Sequence, residues 1–166
     1  MSMKTLLIVR HAKSSWDHPD LDDFNRPLNE RGLRNAPEMA RRLVLRNTIP
    51  ELILSSPALR AITTAKLFNQ QFGRFDEFLK IEKSIYEASR QDLMKLISRQ
   101  NPDINCLMLV GHNPGLSDLV NWLCETEEIL STCAIAQIEI DDYKWNGWEK
   151  SCGFLKDLDF PKKNTA

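Results

Sequence analysis

The sequence has no C-x-x-C pair, no surplus of either charge, and no apolar run near the ~18 residues a membrane span needs. Its four cysteines, Cys106, Cys124, Cys133 and Cys152, are scattered, and Cys106 lies inside an apolar run. They read as free thiols, which excludes a disulfide scaffold and fits a reducing compartment. A formal net charge of −1 and a pI near 6.3 argue against broad binding to nucleic acid or anionic membranes. The first strand starts by residue 4, so no leader segment is expected and the protein reads as cytoplasmic. There is no G-x-x-x-x-G-K-[ST] phosphate loop, no G-x-G-x-x-G and no G-x-S-x-G nucleophile elbow. Without repeats, low-complexity segments or linkers, residues 1–166 read as one domain. A domain of this size buries roughly 70% of its unfolded surface and needs no disulfide or metal to fold.

What is present is alternation. Apolar strand-like runs at Lys4–Arg10, Glu51–Ser55, Leu79–Glu82 and Cys106–Val110 are separated by segments of helical period. That order predicts an α/β fold, a mainly parallel central sheet with helices on both faces. Asn29 is placed to cap the first helix, with Leu33, Ala36, Ala40, Leu43 and Val44 inward. Pro37 either kinks this helix or starts it. Ser56-Pro57 and Asn113-Pro114 each read as a cap and a first-turn proline. The helix after Ser56 would turn Leu59, Ile62, Phe68 and Phe72 inward. Ser89 and Asp92 have the spacing of a capping box ahead of Leu93, Leu96 and Ile97. After Thr132 the period becomes two, through Ala134, Ala136, Ile138 and Ile140. Asn146-Gly147 then signals a hairpin into a last strand near Trp148–Leu155, and the tail Pro161–Ala166 reads as frayed.

The chemistry collects at one sheet edge. His11 and its neighbour Arg10 end the first strand, and His112 ends the fourth. Arg60 falls in the first turns of the helix after strand two, and Glu87 in the loop after strand three. In a parallel sheet these positions converge at the carboxyl edge, where open α/β folds bind ligands. Three helix N-termini point partial positive charge the same way. Arginine forks match phosphate oxygens, and an imidazole with one free nitrogen can attack phosphorus while an acceptor holds the other as N–H. A leaving oxygen needs a proton, for which Glu87 is the candidate acid.

These residues also carry a resemblance. Arg10-His11-Ala12 resembles the R-H-G signature of the histidine phosphatase, or phosphoglycerate mutase-like, superfamily. Arg26-Pro27-Leu28-Asn29-Glu30-Arg31-Gly32 is similar to its R-P-L-T-x-x-G. Ser55-Ser56-Pro57-Ala58-Leu59-Arg60-Ala61 with Thr64 matches S-S-P-x-x-R-A-x-x-T, and Gly111-His112-Asn113-Pro114 matches G-H-N-P. The small SixA-like phosphohistidine phosphatases are the most similar type. The resemblance implies a three-layer α/β/α sandwich with an antiparallel C-terminal hairpin. It also implies His11 as the phosphorylated nucleophile, with Arg10, Arg60 and His112 gripping phosphate. Ala12 departs from the signature glycine, a small change if its φ is negative. The acid does not transfer cleanly, so Glu87 stands equally as acid or as solvated loop carboxylate.

Other residues have plainer readings. Lys13 and Ser14 are placed to touch substrate, though Lys13 reads equally as a surface charge. Arg26 is expected to anchor the long Lys13–Leu28 loop by pairing with one of Asp17, Asp20, Asp22 or Asp23, which otherwise form a solvated acidic run. His18 and Asp118 read as surface residues, and the four tryptophans as packing. The expected function is a phosphatase acting through a phosphohistidine intermediate, with no metal or organic cofactor. Its expected partner is a phosphorylated protein or a small phosphorylated metabolite. A mutase on the same pocket and a noncatalytic phosphate-binding module are the rivals. A mutase must exclude water, and only the Lys13–Leu28 loop offers material for a lid.

Overall fold

Alternation along the strands places two apolar cores on opposite faces of a single sheet. The computed structural model describes residues 3–163. Strands β1 (Met3–Arg10), β2 (Leu52–Ser55), β3 (Leu79–Ile81) and β4 (Cys106–Gly111) are parallel. β5 (Ile135–Asp141) joins β1 antiparallel, and β6 (Gly153–Asp159) joins β5 antiparallel. The spatial order is β3-β2-β4-β1-β5-β6. Leu7, Val9, Ile53, Met108 and Val110 pack under α1 (Glu30–Leu45) and α2 (Leu59–Gln71). Leu6, Ile8, Leu54, Leu107 and Leu109 pack under α3 (Arg90–Ser98) and α4 (Gly115–Cys124). This is the expected three-layer α/β/α architecture. Among the described residues no helix is long and apolar enough to cross a membrane.

The local signals hold in part. Asn29 caps α1 by accepting the Gly32 N–H at 2.9 Å, and Ser89 and Asp92 form the capping box of α3. Pro37 lies inside α1, which therefore does not begin there. Leu33 is exposed; Met39 takes the inward position, because the buried stripe runs through Gly32, Ala36, Met39, Ala40 and Leu43. α2 begins at Leu59, later than expected, and Leu59 itself is exposed. Neither Ser56 nor Asn113 caps its helix.

The C-terminal pair is antiparallel as expected, but Asn146-Gly147 is not its turn. β6 begins at Gly153, opposite Ile140. The intervening chain folds inward so that Trp145 and Trp148 are buried, with Trp145 Nε1 donating to the Ile104 carbonyl at 2.8 Å. Burying two indoles outweighs a tight-turn preference. Of the tail expected to fray, Pro161 is held through its carbonyl by Arg42 at 3.1 Å, while residues 164–166 lie outside those described.

Two close approaches fix loops at the carboxyl edge. A Cβ on Gly32 would lie 2.2 Å from the Lys13 carbonyl oxygen, so only glycine lets α1 seat against the chain leaving β1. A Cβ on Gly115 would lie 2.2 Å from the Ala88 carbonyl oxygen, which brings α4 against the β3–α3 connection.

Candidate active site

The chain leaving β1 is held on three sides. The His11 N–H donates to Gly111 O at the end of β4 (3.1 Å), and the Ala12 N–H to Thr64 Oγ1 on α2 (3.0 Å). The Cys133 N–H donates to the carbonyls of both Arg10 and His11 (3.0 Å each). Thr64 in turn donates to the Arg60 carbonyl at 2.7 Å, so one buried hydroxyl joins the two arginine-bearing segments. Ala12 is fully buried and does not have positive φ, so the methyl group in place of the signature glycine is accommodated.

Above this frame is a cavity of about 200 Å³ lined by Arg10, His11, Lys13, Ser14, Arg26, Arg60 and His112, with Trp16, Asn113 and Thr132 at its sides. His11 Nδ1 lies 2.8 Å from the Ala12 carbonyl oxygen. A carbonyl only accepts, so Nδ1 carries the proton and Nε2 has a free lone pair. That lone pair accepts from Arg60 Nε at 3.3 Å. Arg60 Nη2 donates to His112 Nδ1 at 3.3 Å, which makes Nε2 of His112 the protonated nitrogen, donating to Ser56 Oγ at 2.7 Å. The two imidazole centroids are 5.3 Å apart.

The cavity is cationic and short of counter-charge. Burial first, then the nearby His112, Arg60 and Arg10, push the His11 imidazole down to about 3, against the opposing hydrogen bond to Ala12. His112 is pushed down to about 4 by burial and Arg60, with Asp23 opposing. Arg10 is likewise lowered, by burial and Arg60. It donates to the Leu130 carbonyl at 3.1 Å, while its Nε is buried without an acceptor. Both imidazoles are neutral near pH 7, and the arginines supply the charge.

The sequence missed several contributors. Ser56 does not cap α2: its hydroxyl fixes the His112 tautomer and accepts the Ala58 N–H at 3.2 Å. Asp23, in a 3-10 turn of the long loop, pairs with Arg26 as expected of one aspartate there (2.9 Å), but it also pairs with Arg60 (3.0 Å). Tyr86 donates its hydroxyl to Asp23 Oδ2 at 2.8 Å. Burial pushes the Asp23 carboxyl up, but Tyr86, Arg60 and Arg26 outweigh it and hold it below its ordinary value. The hydrogen bond to Asp23 raises the Tyr86 phenol to about 12. Trp16, read as packing, is 73% exposed with its ring 3.5 Å from the Arg26 guanidinium. Ser56 and Thr64 both stand in the S-S-P-x-x-R-A-x-x-T pattern, which is the readable signal for them. The Arg60 and Tyr86 partners of Asp23 and the His112 partner of Ser56 are remote in sequence.

Lys13 and Ser14 line the cavity, and Ser14 Oγ accepts a close hydrogen bond from Arg26 Nη2. Glu87 does not line it. It is exposed, with φ 58°, on an adjoining depression that shares His112 and Asn113. His18 and Asp118 are on the surface. A larger depression of about 860 Å³ lies at the opposite sheet edge, bounded by Pro50, Arg74, Phe78 and Ile104, and contains no histidine.

Residues 6–101 match the family model of the histidine phosphatase superfamily, branch 1. An uncharacterized chloroplastic protein of Arabidopsis thaliana is 33% identical over 156 residues, covering 89% of this chain and 70% of that protein. An uncharacterized protein of Mycobacterium tuberculosis is 26% identical, covering 93% of this chain and 100% of its own. The crystal structure of SixA from Agrobacterium tumefaciens, assigned there as a phosphohistidine phosphatase, superposes with a TM-score of 0.79. It is 27% identical and covers 95% of this chain and 98% of that one. A protein histidine phosphatase SixA complexed with tungstate has the same fold, with a TM-score of 0.79 at 22% identity over 95% of this chain and 97% of that one.

Proposed function

The chain belongs to the histidine phosphatase superfamily, and from that premise we propose that it is a phosphatase using His11 as a covalent nucleophile, acting on phosphohistidine in a phosphorylated protein. The observation that carries the reading is the state of His11. Its Nδ1–H is tied to the Ala12 carbonyl and its Nε2 lone pair faces Arg60 inside a cationic cavity.

In the first step His11 Nε2 attacks phosphorus and the bond to the leaving group breaks, giving phosphohistidine on the enzyme. In the second, water attacks that phosphorus, the P–N bond breaks, and phosphate leaves with His11 regenerated. Arg10 and Arg60 hold the equatorial oxygens through both steps, and His112 donates to them once protonated. Lys13 and Ser14 act at the substrate-facing wall. The charge stabilisation comes from side chains, so the reading calls for no metal or organic cofactor.

Among the described residues no carboxylate lines the cavity, and Asp23 is held ionised beside it. An alkoxide leaving group would need an acid, whereas a neutral imidazole leaves more readily; this favours phosphohistidine over a phosphomonoester. The SixA protein of Agrobacterium tumefaciens supports the same substrate class. A small phosphomonoester remains the second reading, because Glu87 borders a depression shared with His112. The reading takes residues 1–166 as one domain working in the cytoplasm, where its free thiols would stay reduced.

The test is phosphate release from a phosphohistidine protein and from an aryl phosphate, with chelator present, for the parent and His11→Ala. Release by the parent that vanishes in His11→Ala supports the mechanism, and the preferred substrate ranks the two readings. Equal release by His11→Ala overturns it. No release by a parent that still binds phosphate favours the noncatalytic module.

A further inference from the structure

Arg60 uses two edges of its guanidinium differently. The Nε and Nη2 edge faces the imidazoles, with Nε 3.3 Å from His11 Nε2 and Nη2 3.3 Å from His112 Nδ1. The terminal Nη1 and Nη2 edge is held by a single residue. Nη1 donates to the Asp23 carbonyl at 2.6 Å, and Nη2 to Asp23 Oδ2 at 3.0 Å. Asp23 is itself fixed from two further directions, by the Tyr86 hydroxyl at 2.8 Å and Arg26 Nη1 at 2.9 Å. The Tyr86 ring stands edge-on to both Phe24 (5.2 Å) and His112 (5.6 Å), which seats the turn carrying Asp23 against the cavity wall.

The geometry points to Asp23 as a positioning residue for Arg60, an inference that rests on the phosphatase reading above. Arg60 sits in the first turn of α2, where the helix dipole disfavours a cation. Its neighbours on the cavity side are two neutral imidazoles, which hold the guanidinium only through uncharged acceptors. Asp23 supplies the fixed charge, accepting on the terminal edge and leaving the Nε and Nη2 edge presented to phosphoryl oxygens beside His11 Nε2. The same residue links the Lys13–Leu28 loop to the cavity. Through Asp23, itself about half exposed, the otherwise solvated acidic run reaches the phosphate grip.

The opposite role has the opposite sign. If the Asp23 carboxylate were an internal anion competing with substrate, removing it would tighten anion binding. The experiment measures tungstate binding by calorimetry, and kcat and KM on whichever substrate the parent turns over. The proteins are the parent, Asp23→Asn, Asp23→Ala and Tyr86→Phe, each with its melting temperature. Asp23→Ala is expected to weaken tungstate binding about 10- to 100-fold, the scale of a lost charge-assisted hydrogen bond. Asp23→Asn, which keeps an acceptor oxygen, and Tyr86→Phe should shift it less in the same direction. KM should rise more than kcat falls, a split that general loss of folded protein does not produce. Tungstate binding by the parent that Asp23→Ala leaves unchanged or tightens overturns this inference alone. Failure of the parent to bind tungstate overturns both this inference and the phosphatase reading.

Discussion

Anion binding in this cavity is expected to draw a proton onto His112. In the free protein that imidazole is lowered to about 4, so at pH 7 about one molecule in 1,000 carries the charge. Half occupancy at pH 7 needs three units of upward shift, about 4 kcal/mol. A dianion about 4 Å away interacts with an imidazolium by about 8 kcal/mol at the effective dielectric of a partly buried site. The shift is thus affordable even if half of that is lost to screening. Ser56 Oγ is already placed at 2.7 Å to accept the Nε2–H of the imidazolium. The assay is calorimetric titration with tungstate near pH 7, in two buffers of different ionisation enthalpy. Uptake of between about half a proton and one proton is expected for the parent and none for His112→Gln. Ser56→Ala removes a charge-assisted bond of about 1.5–3 kcal/mol and should lower the uptake. Zero uptake by the parent rules out protonation of His112 on anion binding. Undiminished uptake by His112→Gln also refutes it, since the proton would then be on His11, where it would block attack.

Three more outcomes are expected. Both histidines have folded values below the ordinary 6.5 or so, so the stability they confer is complete above that pH and is lost as pH falls toward about 4 for His112 and about 3 for His11. Each contributes a slope of up to about 1.4 kcal/mol per pH unit in that window, and His11→Ala should flatten the unfolding free energy there; an unchanged slope in denaturant titrations contradicts the low His11 value. Thr64→Val keeps the shape but leaves the Ala12 N–H without its acceptor, a loss of about 1–3 kcal/mol by urea unfolding, and a change under about 0.5 kcal/mol would mean that water replaces the hydroxyl. Glu87→Gln should leave phosphohistidine hydrolysis nearly unchanged because Glu87 is exposed outside the cavity; a fall of about 100-fold or more would identify it as the leaving-group acid.

The alternating strands and helices, the caps at Asn29 and Ser89, and the arrival of Arg10, His11, Arg60 and His112 at one sheet edge are legible in the sequence. These follow from local rules: hydrophobic period gives the element, and a parallel sheet brings every strand's carboxyl end to the same side. Ser56 looked like a cap because serine before proline usually is one, yet tertiary structure gave its hydroxyl to an imidazole 56 positions away. Asn146-Gly147 looked like a hairpin turn, yet the core took Trp145 and Trp148 first. Asp23 is exposed like its acidic neighbours, yet Arg60 and Tyr86 reach its carboxylate from separate segments, beside Arg26 three residues on. Charge pairing, tautomer and edge-on guanidinium geometry depend on atoms brought within about 3 Å by the whole fold. No periodicity along the chain encodes such distances; they arise when the packed layers bring remote segments together.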